Sequence, residues 1–169
     1  MREQIVLLPE PFGYIRISAV SKQLIGVELL AGDEKAKAHQ ATSSGDLVLR
    51  EAVKQMLRYF AEPEVGFSLP LKLSGTPYQR RVWQALREIP VGQAMSYGEL
   101  AHRMKSGAQA VAAACKSNRF PVIIPCHRVI SATGLGGYCG QTNGPMLEIK
   151  QWLLRHEGSL AGGKAVDGA

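Results

Sequence analysis

A chain of 169 residues, 46% of them hydrophobic and 20% charged, suits one ordinary domain or two small ones and is too apolar to be disordered. No apolar run reaches the ~18 residues of a membrane span, Met1-Arg2-Glu3-Gln4 opens no signal-peptide core, and three cysteines make no disulfide framework. The net charge of +6 is lopsided: residues 1–75 carry nine Lys/Arg against nine acids, whereas residues 76–157 carry ten against four.

These numbers favour a reducing, cytoplasmic setting. They also favour a polyanionic partner for the second half, with a merely solvated basic face as the plain alternative.

The first half reads as strands followed by a helix. Ile5-Val6-Leu7-Leu8 is a short apolar run, Ile15, Ile17 and Ala19 alternate with Arg16 and Ser18, and Leu24 to Leu30 follows a Ser21-Lys22-Gln23 turn. Residues 31–45 are small and polar, as in a loop. Leu49, Val53, Met56, Leu57 and Phe60 then share one helical face, and the helix ends before Pro63. Pro63, Gly66, Pro70 and Gly75 punctuate a connection over 63–75.

The second half reads as helical. Thr76-Pro77 is an N-cap with proline at the first helical position, and Pro90-Val91-Gly92 ends that helix. Ser96-Tyr97-Gly98-Glu99 has capping-box spacing and opens a short helix to about Met104. After the break Lys105-Ser106-Gly107, a second box, Ser106 to Gln109, opens an alanine-rich helix that ends near Asn118, a residue suited to a left-handed cap. Two short helices around a glycine-containing break make a helix-turn-helix pattern. The second of them offers only Gln109, Lys116, Asn118 and Arg119 for reading base edges, so it suits backbone or groove contact better than sequence readout. Glycines at 134, 136, 137, 140 and 144 mark a turning loop. Pro145 opens a last helix with Met146, Ile149, Leu153 and His156 on one face, followed by a small, polar tail that reads as disordered.

The chemistry concentrates at Pro125-Cys126-His127-Arg128. A thiolate is the nucleophile, and neighbouring cationic or basic groups, here His127 and Arg128, supply it. Neighbours on an extended chain point to opposite sides, so a water is expected between Cys126 and His127. An acid should orient the imidazole, and Glu157 is one candidate. Cys115, Cys126, His127 and Cys139 lack paired metal-ligand spacing, and no metal is expected. A small buried hydrophobe is the plain reading of Cys126.

At this point the chain resembles the O6-alkylguanine-DNA alkyltransferase family, also called methylated-DNA–protein-cysteine methyltransferase. The resemblance rests on Phe120 to Ile130 around Ile-Pro-Cys-His-Arg-Val, Ser96 to Ala101, Ala110 to Cys115, Gly136-Gly137-Tyr138 and Trp152 to Gly158. It implies an α+β chain: a small ribonuclease-H-like α/β domain over 1–62, a linker over 63–75, a mostly helical, winged helix-turn-helix-like domain over 76–158, and a tail over 159–169. It further implies a monomer without cofactor that binds double-stranded DNA containing O6-alkylguanine, beside the nucleoid, or in the nucleus of a eukaryote.

In that reading Cys126 takes the alkyl group from guanine O6, and less well from thymine O4, and keeps it. His127 is the base through a water, Glu157 holds His127, and Asn118 ties the recognition helix to the active-site loop. Tyr97 presses on the phosphate and donates to guanine N3, while the carbonyls of Cys126 and Val129 accept from the exocyclic amine. Tyr138, Cys115 and Cys139 line the pocket, the N–H of Cys139 facing O6. Ser96, Gln109, Ala110, Ala113, Arg119 and Arg128 meet the DNA. The target base leaves the stack because chemistry inside a duplex requires it.

This sequence departs from the family pattern in three places: Gln109 stands where an arginine is usual, Cys139 where serine is usual, and 141–145 reads as an insertion. Residues 1–114 contain no cysteine for the family's N-terminal zinc. Two rival readings are a non-catalytic sensor of the same fold and, more remotely, a thiol hydrolase.

Overall fold

The computed structural model describes residues 1–8, 11–30 and 45–159, and the chain divides into two compact units, Met1–Leu73 and Ser74–Ala169. Most of the loop expected over 31–45 and of the tail expected over 159–169 lies outside the described residues.

In the first unit, β1 (Arg2–Leu8), β2 (Gly13–Val20) and β3 (Gln23–Leu29) form an antiparallel meander. Alternation decides its inner face: Ile5, Leu8, Ile15, Ile17, Ala19, Leu24 and Val27 are buried. Helix α1 (Leu47–Ala61) starts at Asp46, whose carboxylate accepts from the N–H groups of Val48 and Leu49.

The buried face of α1 is Leu49, Ala52, Gln55, Met56 and Tyr59 rather than the expected one, and Leu57 is exposed. Gln55, a polar residue on this buried face, has its partner inside. Its amide donates to Ser68 O at 3.0 Å and accepts from Ser68 N at 2.8 Å. Within the connection expected over 63–75, Ser68, Pro70 and Lys72 bond back to α1 and β3. A single 3-10 turn spans Pro63–Val65, and Leu24 N donates to Pro70 O while Lys72 N donates to Leu24 O, a parallel bridge that sets residues 70–72 alongside the start of β3.

In the second unit, α2 (Pro77–Arg87) carries a complete capping box between Thr76 and Gln79. Strand β4 (Met95–Ser96) leads straight into α3 (Tyr97–Met104), and α4 (Ala108–Lys116) follows a left-handed Lys105 at φ 54°. The chain then runs through a 3-10 turn at Cys126–Arg128 into β5 (Val129–Ile130) and ends in α5 (Pro145–His156).

Strand β5 pairs in parallel with β4, Met95 beside Val129 and Ser96 beside Ile130. This pairing, which no periodicity announces in elements of two residues, sets the start of α3 beside the Cys126–Arg128 turn. Trp83 on α2 donates its indole N–H to Ala114 O at 2.9 Å and fixes α2 to α4.

Two cap expectations in this unit are corrected. The N-cap of α4 is Gly107, with no side-chain hydrogen bond; Ser106 is instead 2.7 Å from the Tyr78 hydroxyl, so the Ser106–Gln109 box does not form. The helix ends at Lys116 with Ser117 in right-handed geometry, and Asn118 is not a left-handed cap. At α3 the Ser96 hydroxyl accepts from Glu99 N at 3.0 Å, as expected for one half of its box. Among the described residues no helix is long and apolar enough to cross a membrane, and no group of three or more His, Cys, Asp or Glu side chains is placed to hold a metal ion.

Candidate active site

The Cys126–Arg128 segment is a 3-10 turn, not the extended chain expected, with Arg128 N bonded to Pro125 O at 3.1 Å. The three side chains of the turn are held from different sides. Asn118 leaves the C-terminus of α4 and donates its amide to Ile124 O at 2.9 Å and to Cys126 Sγ at 3.3 Å, while its oxygen accepts from Phe120 N at 2.9 Å. One residue thereby fastens the end of α4 to the backbone before the cysteine and to the sulfur itself.

His127 is fully buried, its Nε2 2.8 Å from Glu157 Oε2. Arg128 is buried as well. Its Nε and Nη2 donate to the two Glu157 oxygens at 2.8 and 3.1 Å, and its Nη1 donates to Ile89 O. This bidentate pairing places Arg128 in the interior and not on the DNA surface expected for it: its Nε, Nη1 and Nη2 all donate inward.

Burial alone would raise the Glu157 pKa, but the hydrogen bond from His127 and the bonds and charge of Arg128 hold its carboxyl at about 2. Burial pushes His127 below its ordinary value, against the pull of Glu157, so the ring rests neutral. With Nε2 committed to Glu157, Nδ1 is the ring nitrogen left to take a proton. It is buried and has no hydrogen-bond partner among the described residues.

Cys126 lines a cavity of about 300 Å³ together with Tyr97, Cys115, Tyr138 and Cys139. All three cysteines of the chain are free thiols on this one wall. Burial pushes the Cys126 thiol up, and the Asn118 bond and Lys150 oppose it. Burial and the facing Cys126 push Cys115 and Cys139 up to about 12. The resting thiol is therefore protonated, and Arg128 is not the cation beside it. Tyr97 is raised too, first by burial, and keeps its hydroxyl proton. Its ring lies against Gly136, where a Cβ would come within 2.9 Å of Tyr97 Cε2, on a backbone at φ +73°.

Cys139 sits at the tip of a two-residue hairpin. Tyr138 N donates to Gln141 O and Gln141 N to Tyr138 O, both at 2.9 Å, and Cys139 and Gly140 have φ 50° and 78°. Positive φ at both central positions marks a type I′ turn, and its two bonds leave the Cys139 N–H unused.

Lys150 is a site residue that the sequence reading missed. It is fully buried on α5, within the apolar face between Met146 and Leu153, and that position of a charge is the signal that could have exposed it. Its Nζ donates to Val129 O at 2.7 Å and to Gly137 O at 2.9 Å, and sits 5.8 Å from the centre of the Tyr97 ring. The Val129 carbonyl expected to meet an exocyclic amine thus already accepts one bond. Burial lowers the Lys150 pKa to about 8, so this ammonium still carries charge beside the cavity at neutral pH. Ala112, Lys116, Gly137, Gly140, Gln141 and Thr142 also line the cavity; of these Lys116 was expected at base edges rather than here.

Outside the cavity, α4 exposes Gln109, Ala110 and Ala113, with Arg119 exposed just beyond it, while Ser96 is half-buried and occupied in capping α3.

Residues 77–159 match the model of the 6-O-methylguanine DNA methyltransferase DNA binding domain, and residues 6–73 match its ribonuclease-like domain. The chain belongs to the methylated-DNA–protein-cysteine methyltransferase family. A relative of that name from Methanosarcina acetivorans is 35% identical over 156 residues, covering 90% of this chain and 97% of its own. The crystal structure of the Mycobacterium tuberculosis O6-methylguanine methyltransferase is 34% identical, covers 95% of both chains and superposes with a TM-score of 0.74. The Mycobacterium tuberculosis OGT solved in complex with DNA is 33% identical, covers 93% of this chain and 92% of its own, and gives a TM-score of 0.72. The family's two domains correspond to the two compact units, a ribonuclease-like α+β unit and a helical one.

Proposed function

We propose that this chain is a direct-reversal DNA repair protein that moves a methyl or other alkyl group from guanine O6 in duplex DNA onto Cys126 and retains it. The observation that carries the reading is the cavity: a thiol on its wall, tied by Asn118, next to a neutral His127 whose far nitrogen is held by an ionised Glu157.

The step balances between thiol and lesion. Cys126 gives its proton through a water to His127 Nδ1, the sulfur attacks the alkyl carbon in line, the new S–C bond forms and the C–O6 bond breaks. The electron pair returns to the guanine ring, where a hydrogen bond from the Tyr97 hydroxyl to N3 and one from the Cys139 N–H to O6 would stabilise it. The proton finally resides on guanine. The thioether has no route back, so each molecule acts once.

The target nucleotide rotates out of the duplex into the cavity. The alanine-rich exposed face of α4, with Lys116 its single cation at the C-terminal end, fits minor-groove docking through shape and backbone, and Gln109 is the side chain that would fill the space left behind.

Titrating a duplex that carries one O6-methylguanine against the protein tests this. Restored guanine should rise in proportion to protein and stop at one equivalent. Repair continuing past one equivalent overturns the single-use step.

A further inference from the structure

The face assigned to DNA carries little of the charge that DNA binding uses. Helix α4 exposes Gln109, Ala110, Ala112 and Ala113, with Lys116 its single cation and Arg119 next along the chain. Arg128 and Lys150, two of the ten basic residues in this half, are buried. Helix α2 instead exposes Arg80, Arg81 and Arg87, and none of them enters an ion pair among the described residues.

Helix geometry sorts the three. At 100° per residue Arg80, Gln84 and Arg87 share one stripe, whereas Arg81 lies on a separate stripe with Glu88. The inner face of α2 is Val82, Trp83 and Leu86, and Trp83 bonds Ala114 on α4. The Tyr78–Ser106 bond pins the first turn of α2 to the turn before α4. The stripe thus stands on a helix that is fixed to α4. Its two guanidinium-bearing positions are about 10 Å apart along the axis, roughly three nucleotide steps of one strand at about 3.4 Å each.

We propose that Arg80 and Arg87 form a phosphate-binding flank that grips the backbone of the duplex docked on α4, supplying the charge that α4 lacks. This rests on the DNA-binding reading above.

The test is the dependence of binding on salt, measured with an unmodified duplex for wild type, Arg80→Gln, Arg87→Gln, the double variant, and Arg155→Gln on α5 as a control of equal charge. Each neutralised phosphate contact contributes about 0.9 to the slope of log affinity against log salt. The flank variants should therefore flatten the slope by about 0.9 each and about 1.8 together, with Arg155→Gln matching wild type. A steep wild-type slope that the double variant leaves unchanged overturns the flank, and so does an equal loss in Arg155→Gln, which would show net charge acting without a defined contact. A flat wild-type slope would sink the DNA reading itself, and the flank with it. Unchanged thermal melting keeps folding out of the comparison.

Discussion

Arg128 shows how far a single residue can be read from its neighbours in sequence. The Ile-Pro-Cys-His-Arg-Val string announces a reactive thiol, and the structure does gather Cys126, His127, Asn118 and Glu157 as the resemblance implied. It cannot announce the direction of a side chain, and Arg128 points inward to a carboxylate 29 residues away. Arg128→Gln should therefore cost about 3–5 kcal/mol of stability, the usual consequence of stripping one partner from a buried ion pair, and leave the salt slope of DNA binding unchanged. A large loss of slope without a loss of melting temperature would restore Arg128 to the DNA surface.

The same cluster sets a pH dependence. Glu157 titrates at about 2 in the fold against an ordinary 4.5. Its contribution is complete above 4.5 and is lost as pH falls toward 2. His127 lies below its ordinary 6.5, so the unfolded chain binds its proton first, and stability also falls as pH drops below 6.5. Both slopes have the same sign. The two tryptophans of the chain, Trp83 and Trp152, lie in the second unit, so their fluorescence should report acid unfolding that begins below pH 6.5. Glu157→Gln should flatten the part between pH 4.5 and 2, and an identical acid limb in that variant would contradict the assignment.

At the scale of elements, the starts of α2, α3 and α5 were legible because their boundary residues act locally. Thr76, Pro77, Ser96 and Pro145 stand where caps and first turns need them. The cap of α4 was misread because a serine three residues before a glutamine matches a box in sequence, whereas Tyr78, 28 residues earlier, claims that serine in the fold. The face of α1 and the buried Lys150 were hidden for a related reason: a polar side chain joins a core only when a distant backbone group receives it.

The absence of the Ser106–Gln109 cap simplifies the outcome at position 109. Gln109→Arg loses no capping bond and meets only the helix dipole, a few tenths of a kcal/mol to ~1. Against this it gains a stacking or hydrogen-bonding cation in the duplex, about 1–3 kcal/mol. Duplex repair should quicken or binding tighten, with melting nearly unchanged. Equal repair rates for Gln109, Gln109→Arg and Gln109→Ala would show that this position never enters the duplex.

For the whole molecule, the lopsided charge was readable from counting alone, and the structure refines where it lies: two of the ten basic residues in the second half are interior, and three stand on α2. Binding should accordingly weaken steeply with salt and depend little on sequence, since α4 exposes mostly alanine, with Gln109 near its start and Lys116 its single charge at its end. A marked preference for one unmodified sequence in competition assays would contradict this.

The central claim is that Cys126, alone of three thiols on one cavity wall, becomes the permanent acceptor. Intact-protein and peptide mass spectrometry after exposure to a duplex containing O6-methylguanine tests it most directly. The expected result is one methyl group, retained on Cys126, and none in Cys126→Ser, which should still bind DNA. A methyl group on Cys115 or Cys139, a protein that returns to its starting mass, or a methylated Cys126→Ser would contradict it.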